Sequence, residues 1–219
     1  MSDTHADGGG PRYFGLYPAL VTSIMDERRL GRIEVKFPFL GEPGKDVRAW
    51  ATLLTPYAGD NQGFEVLPEV GTQVVVGFEA GELRRPYIVG ACWNGQAALP
   101  AAPEEANNKR LIKTRSGSTL EFDDTQGAAK VTLSLANGQK LVLDEGASRV
   151  TLSDANQSTI TFEPSGDIVI TARQRLVISA ASVLVQSPST TYTGSVTCTA
   201  LTATSVTSPL YSPGAGNVW

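Results

Sequence analysis

The stretch Lys130-Val-Thr-Leu-Ser-Leu-Ala-Asn-Gly-Gln-Lys-Leu-Val-Leu-Asp144 carries the pattern on which the fold turns. Apolar side chains stand at i and i+2 in Val131/Leu133 and again in Leu141/Leu143, with Asn137-Gly138 between them. Period two places both members of a pair on one face of a strand, and Asn-Gly is a turn signal. The unit recurs outward: Leu120/Phe122 before it, then Val150/Leu152, Ile160/Phe162, Ile168/Ile170, Leu176/Ile178 and Val183/Val185. Turn-prone residues separate the units at Asp123-Asp124, Asp144-Glu-Gly146, Asp154-Ala-Asn156 and Pro164-Ser-Gly166. The spacing shortens from 11 residues (Leu120 to Val131) to 7 (Leu176 to Val183), which describes a structure that narrows along its length.

One strand per unit cannot enclose a core alone, because a single-chain triangular β-helix needs about twenty residues per coil at ~3.3 Å per residue. A meander of such strands leaves a bare apolar face and open edges in water. Three identical chains, each supplying one wall of a triangular prism, remove both problems. The expected trimer core is Leu133, Leu141, Leu143, Val150, Leu152, Ile160, Phe162, Ile168, Ile170, Leu176, Ile178, Val183, Val185 and Val196.

The tail continues the pattern without charge. Residues 176–219 hold no Asp, Glu, Lys or Arg and are rich in Ser and Thr, a composition that by itself suggests a disordered stalk. Position favours a strand instead: Thr191, Thr193, Ser195, Thr197 and Thr199 alternate with Tyr192, Gly194, Val196, Cys198 and Ala200.

Upstream, strand-like runs follow one another between turns: Tyr13 to Ile24, Arg32-Ile-Glu-Val-Lys-Phe37, Trp50-Ala-Thr-Leu-Leu54, Thr72 to Phe78 and Pro86 to Trp93. Five or six strands with no helical periodicity predict a small closed barrel of OB type. OB barrels often bind oligonucleotides, but the arginines at 28, 29, 32, 84 and 85 are interleaved with Asp26, Glu27, Glu34, Glu79 and Glu82. These read as solvated hairpin turns, and no nucleic acid is expected as partner. The domain reading is a flexible lead-in at 1–11, the OB-fold domain at 12–95, a linker at 96–108, a β-helical spike at 109–207 and a tip segment at 208–219.

With 219 residues, 22 Gly, 13 Pro, two Cys, one His and a net charge of −4, the chain has no global charge drawing it to nucleic acid or anionic membrane. Two thiols and His5 cannot make a structural zinc site. Met1-Ser-Asp-Thr-His-Ala-Asp7 has neither a basic nor an apolar run, so no secretion signal is expected. No Gly-x-Ser-x-Gly elbow, P-loop or Gly-x-Gly-x-x-Gly occurs. Asp123, Asp124, Asp144, Glu145, Asp154 and Glu163 follow the apolar pairs and could be stacked together, but Lys130, Lys140 and Arg149 lie near them. They read as a solvated corner, so neither an enzyme nor a cofactor or metal is expected.

Tyr13 to Thr22, Gly31-Arg-Ile-Glu-Val-Lys-Phe-Pro38, Trp50-Ala51, Pro68 to Glu79 and Pro86-Tyr-Ile-Val-Gly-Ala91 together resemble the OB domain of contractile-tail spike proteins. Arg115-Ser-Gly-Ser-Thr-Leu-Glu-Phe-Asp-Asp124 resembles the stretch that opens the β-helix in valine-glycine repeat (VgrG) spikes. The family is the phage baseplate assembly protein V group, with relatives in type VI secretion and other contractile injection systems.

The resemblance implies an all-β chain: an OB-type antiparallel barrel followed by an intertwined homotrimeric β-helix needle. It implies a structural spike in a virion tail baseplate or injection particle, made in the bacterial cytoplasm. Its OB end would meet the baseplate hub protein and tail tube, and its needle would transiently cross the target membrane. A separate tip protein of the proline-alanine-alanine-arginine (PAAR) type would cap the other end, against Tyr211, Val218 and Trp219. The His motif that holds an axial iron in some spikes is not matched, since the single His is His5. A trimeric receptor-binding or glycan-active fibre is the alternative, and the barrel favours the spike.

Overall fold

A computed structural model describes residues 12–210; the expected lead-in, His5 and the tip residues Tyr211, Val218 and Trp219 lie outside the described residues. The regular secondary structure of the described residues is β strand, apart from one 3-10 turn at Glu79–Gly81.

The first half forms a closed barrel. Its strands are β1 (Tyr17–Ser23), β2 (Arg32–Phe37), β3 (Val47–Leu53), β6 (Gln73–Phe78) and β7 (Pro86–Ala91), with a small hairpin of β4 (Ala58–Gly59) and β5 (Gln62–Gly63) between. The order around the barrel is β1-β2-β3-β7-β6, closing back on β1. Every pairing is antiparallel except β3 with β7, which run parallel through Thr52/Tyr87 and Leu53/Ile88. That order, with one parallel closure, is the OB arrangement.

Alternation fills the interior. Ala19 and Val21 from β1, Ile33, Val35 and Phe37 from β2, Ala51 from β3, Val74 and Val76 from β6 and Ile88 from β7 are all buried. Residues between them along each strand face outward, as the two-residue repeat requires. Tyr13, Tyr17, Phe37 and Phe78 pack ring against ring at one end, with centroids 5.4–6.0 Å apart.

The second half is a seven-stranded antiparallel meander. It comprises β8 (Lys109–Lys113), β9 (Thr119–Asp123), β10 (Lys130–Ser134), β11 (Lys140–Asp144), β12 (Arg149–Ser153), β13 (Thr159–Phe162) and β14 (Ile168–Thr171), each paired with the next.

Four of its six turns share one design. The strands close through Thr114/Ser118, Leu135/Gln139, Asp154/Ser158 and Glu163/Asp167, with the fourth turn residue donating its N–H back to the first. That residue takes a left-handed backbone, with φ from 68° to 99°. It is Gly117, Gly138 and Gly166 in three turns and Gln157 in the other. A Cβ is disfavoured in this conformation, which accounts for the three glycines. At Gln157 compensation comes from Asp154, whose Oδ1 accepts the N–H groups of Asn156 at 2.9 Å and Ser158 at 2.7 Å.

Strands end at Thr171. Residues from Gln174 onward form a separate unit. It contains no strand among its described residues, so the alternating run at 191–200 is not a strand within the single chain. Alternation prepares a segment to pair, but a ladder needs a second edge, and this unit supplies none to itself.

Candidate functional site: an uncovered apolar sheet face

The registers of the meander align the i, i+2 pairs into two rows on one face. Residues directly opposite in an antiparallel ladder share a face. One row runs Phe122, Val131, Leu143, Val150, Phe162, Ile168 across successive strands. The other runs Ile112, Leu120, Leu133, Leu141, Leu152, Ile160, Ile170. Among the described residues of this unit no second layer lies over them: Leu133, Leu143, Leu152, Phe162 and Ile170 are 45–55% exposed and Leu120, Val131, Leu141 and Val150 half-buried, against 0–2% for the barrel core. A contiguous, exposed apolar surface running across seven strands is the kind of patch that serves as an interaction face.

The opposite face is charged and hydroxylated. Along one margin Lys109, Asp123, Lys130, Asp144 and Arg149 stand in register, alternating in sign. Arg149 extends the series by pairing with Glu163 at 2.6 Å. Asp123 accepts the hydroxyl and backbone N–H of Thr125, and these bonds, with Lys109 and Lys130 nearby, hold its carboxyl below the usual carboxylate range. Glu121, Thr132, Thr151 and Thr161, the last of them buried, share the middle of this face with Leu111, Val142 and Val169. The sheet thus has one face whose margin is charged and whose middle is mixed, and one that is apolar in both rows but for Arg110.

Nine of the expected core residues lie in the two rows: Leu133, Leu141, Leu143, Val150, Leu152, Ile160, Phe162, Ile168 and Ile170. Leu176, Ile178, Val183, Val185 and Val196 fall in the separate C-terminal unit, where they are exposed and outside any strand. Ile112, Leu120, Phe122 and Val131 also belong to the face but stand outside the expected core; the last three read as members of apolar pairs, and Ile112 does not. Ile112 is hidden by its i, i+2 partner Arg110, which breaks the apolar pair.

On the barrel, the β2–β3 surface that OB folds use for oligonucleotides has its cations engaged. Lys36 pairs with Asp46 at 2.7 Å, and Arg48 with Asp46 at 3.2 Å and Glu34 at 3.5 Å. Arg32 gives both arms to Asp26 and lies 5.6 Å from the ring centre of Trp50. Such pairing leaves little free charge for phosphates. A groove of about 660 Å³ opens beside the β4–β5 hairpin, lined by Ile24, Leu30, Tyr57, Phe64 and Leu67 among others. Among the described residues no group of three or more His, Cys, Asp or Glu could hold a metal ion, and no helix is long and apolar enough to cross a membrane.

Comparison with known proteins fits this geometry. Residues 17–93, the barrel, match the family described as the type VI secretion system/phage-baseplate injector OB domain. Over 133 residues, 55% of the chain, it is 27% identical to the type VI secretion system spike protein VgrG5 of Pseudomonas aeruginosa, covering 17% of that protein. Over 110 residues, 47% of the chain, it is 26% identical to the spike protein VgrG3 of Vibrio cholerae, covering 11% of it. The actin cross-linking toxin VgrG1 of V. cholerae is 24% identical over 110 residues, 10% of its length. The barrel is therefore similar to injector-type OB domains and the chain to VgrG spike proteins, of whose length it spans under a fifth.

Proposed function

We propose, from the premise of an injector-type OB domain, that the chain is the central spike of a contractile baseplate and works as a homotrimer. The observation that carries the reading is the two-row apolar face, exposed among the described residues and continuous over seven strands. Three such walls meeting around an axis bury their rows against one another and leave the charged faces to water. The hydrophobic driving force scales with the area removed from water, so repetition along seven strands makes association strongly favourable.

The OB end docks on the baseplate hub protein and tail tube, and the β-helical needle points at the target envelope. Sheath contraction drives the needle through the membrane, where a ladder-bonded prism with a dry core has little slack for bending. The uncharged C-terminal segment pairs with its copies in the other two chains, whose ladders supply the edges it lacks alone, and a PAAR-type protein caps it. The role is mechanical, with no enzymatic step and no bound cofactor.

Sedimentation of the purified full chain at micromolar concentration, with electron micrographs of the same sample, tests the reading. A trimer seen as a short tapered needle is expected; a monomer overturns it.

A further inference from the structure

We infer that Arg110 and Asp124 form a polar layer at the head of the apolar core and fix the axial register of the three chains, an inference that rests on the trimeric reading above. The apolar face has fourteen positions in two rows of seven, and Arg110, opposite Phe122, is the one that is not apolar. It stands on β8, the first strand of the sheet.

The remaining positions hold Leu, Ile, Val and Phe, whose attraction is non-directional. A chain that slipped by two strand spacings, about 10 Å, would again set aliphatic residues against aliphatic residues. The two rows thus bind well and specify stagger poorly. Arg110 breaks that degeneracy. In a slipped arrangement its guanidinium would lie against a neighbour's Leu or Val, desolvated and without new acceptors, which is strongly disfavoured.

In register, the local chemistry is self-complementary. Nη1 of Arg110 donates to Oδ2 of Asp124 at 2.6 Å and to the carbonyl of Asn108 at 3.3 Å. Each chain's cation is therefore neutralised before three copies meet, so the layer carries no net repulsion. The guanidinium keeps further N–H donors, and a carboxylate has room for more acceptance at its second oxygen. Around a threefold axis these meet as Arg110 of one copy against Asp124 of the next, closing a ring. A single polar layer that specifies register in an otherwise apolar seam is the best attested use of buried polar groups.

The test uses the full chain carrying Cys92→Ala, Cys198→Ala and Asn137→Cys, nitroxide-labelled in the exposed β10–β11 turn. Sedimentation gives the oligomeric state, and pulsed dipolar spectroscopy the distances between labels. The parent is expected as a trimer with one narrow distance. Arg110→Leu, which matches the apolar pattern, is expected to stay trimeric with at least two distance populations. The exchange Arg110→Asp with Asp124→Arg is expected to restore one. A parent that is monomeric defeats the trimeric reading itself. With a trimeric parent, an Arg110→Leu trimer that keeps one distance, an Arg110→Leu monomer, or an exchange variant that stays heterogeneous each overturns the register role.

Discussion

Asp26 receives both arms of the Arg32 guanidinium, Nη2 at 2.8 Å and Nε at 2.9 Å, while also accepting the backbone N–H groups of Arg28 and Leu30. One carboxylate thus closes the β1–β2 turn and anchors the first residue of β2. The Arg32 bonds, aided by those N–H groups, hold its carboxyl far below its ordinary value of 3.8. A carboxyl with a depressed folded-state pKa contributes stability that is fully present above the unfolded value and lost as pH falls through the folded one. Unfolding followed by tryptophan fluorescence in a variant that keeps Trp50 alone (Trp93→Phe, Trp219→Phe) is therefore expected to show the barrel weakening as pH drops below about 4. Asp26→Asn is expected to be less stable at pH 7 and to have a flatter acid limb; an unchanged acid limb would exclude Asp26 as its source.

The two faces of the meander make opposite predictions for the same substitution. Leu143→Asp puts a carboxylate in the middle of an apolar row, where three copies would be desolvated together. Burying unpaired charge costs several kcal/mol per ion, on the order of 5, so assembly is expected to fail. Thr151→Asp, on the hydroxylated face, is expected to leave the trimer intact, with a change within about 0.5 kcal/mol. Analytical ultracentrifugation of the two variants separates them, and equal tolerance would remove the apolar face as an interface.

Much of this was legible because β structure writes its faces at period two. The pairs Leu141/Leu143 and Leu152/Val150 announce strands, and their opposition across β11 and β12 follows from short turns between them. The barrel core was legible for the same reason in Ile33, Val35 and Phe37. The parallel closure of β3 on β7 was not, since it depends on a contact between Thr52 and Tyr87 that no local pattern encodes. Residues 191–200 show the converse: the alternation is present, but period two states which side chains share a face and leaves the partner edge unnamed. Arg110 hid Ile112 because an apolar-pair rule discards the position where a charged residue interrupts it.

Gln157 is the one non-glycine at the left-handed position of the four matching turns, with φ of 68°. That conformation costs an L-residue roughly 1–2 kcal/mol, while glycine loses about 0.5–1 kcal/mol of backbone entropy on folding. Gln157→Gly is thus expected to raise stability by about 0.5–1 kcal/mol, measured as a shift in denaturation midpoint at unchanged slope. Removing the compensating acceptor with Asp154→Ala is expected to lower stability by about 1 kcal/mol, as loss of a cap does. If Gln157→Gly were destabilising, the Gln157 side chain would have to contribute more than its bond from Arg173, which donates to Oε1 at 2.9 Å.

Glu69 and Arg115 join the barrel to the meander across 46 residues of sequence, with Nη1 to Oε2 at 3.0 Å. Distance alone would make this the hinge pin between the two halves. Exposure decides otherwise: the side chains are 61% and 83% accessible, so both ions keep most of their hydration and the pair gains little. Exposed pairs of this kind are worth about 0.2–1 kcal/mol and are screened by salt. A double-mutant cycle with Glu69→Ala and Arg115→Ala is expected to give a coupling below about 1 kcal/mol that fades by 1 M salt. A larger, salt-insensitive coupling would mean that the pair is desolvated in the assembled protein, and that the junction between barrel and sheet is itself part of the interface.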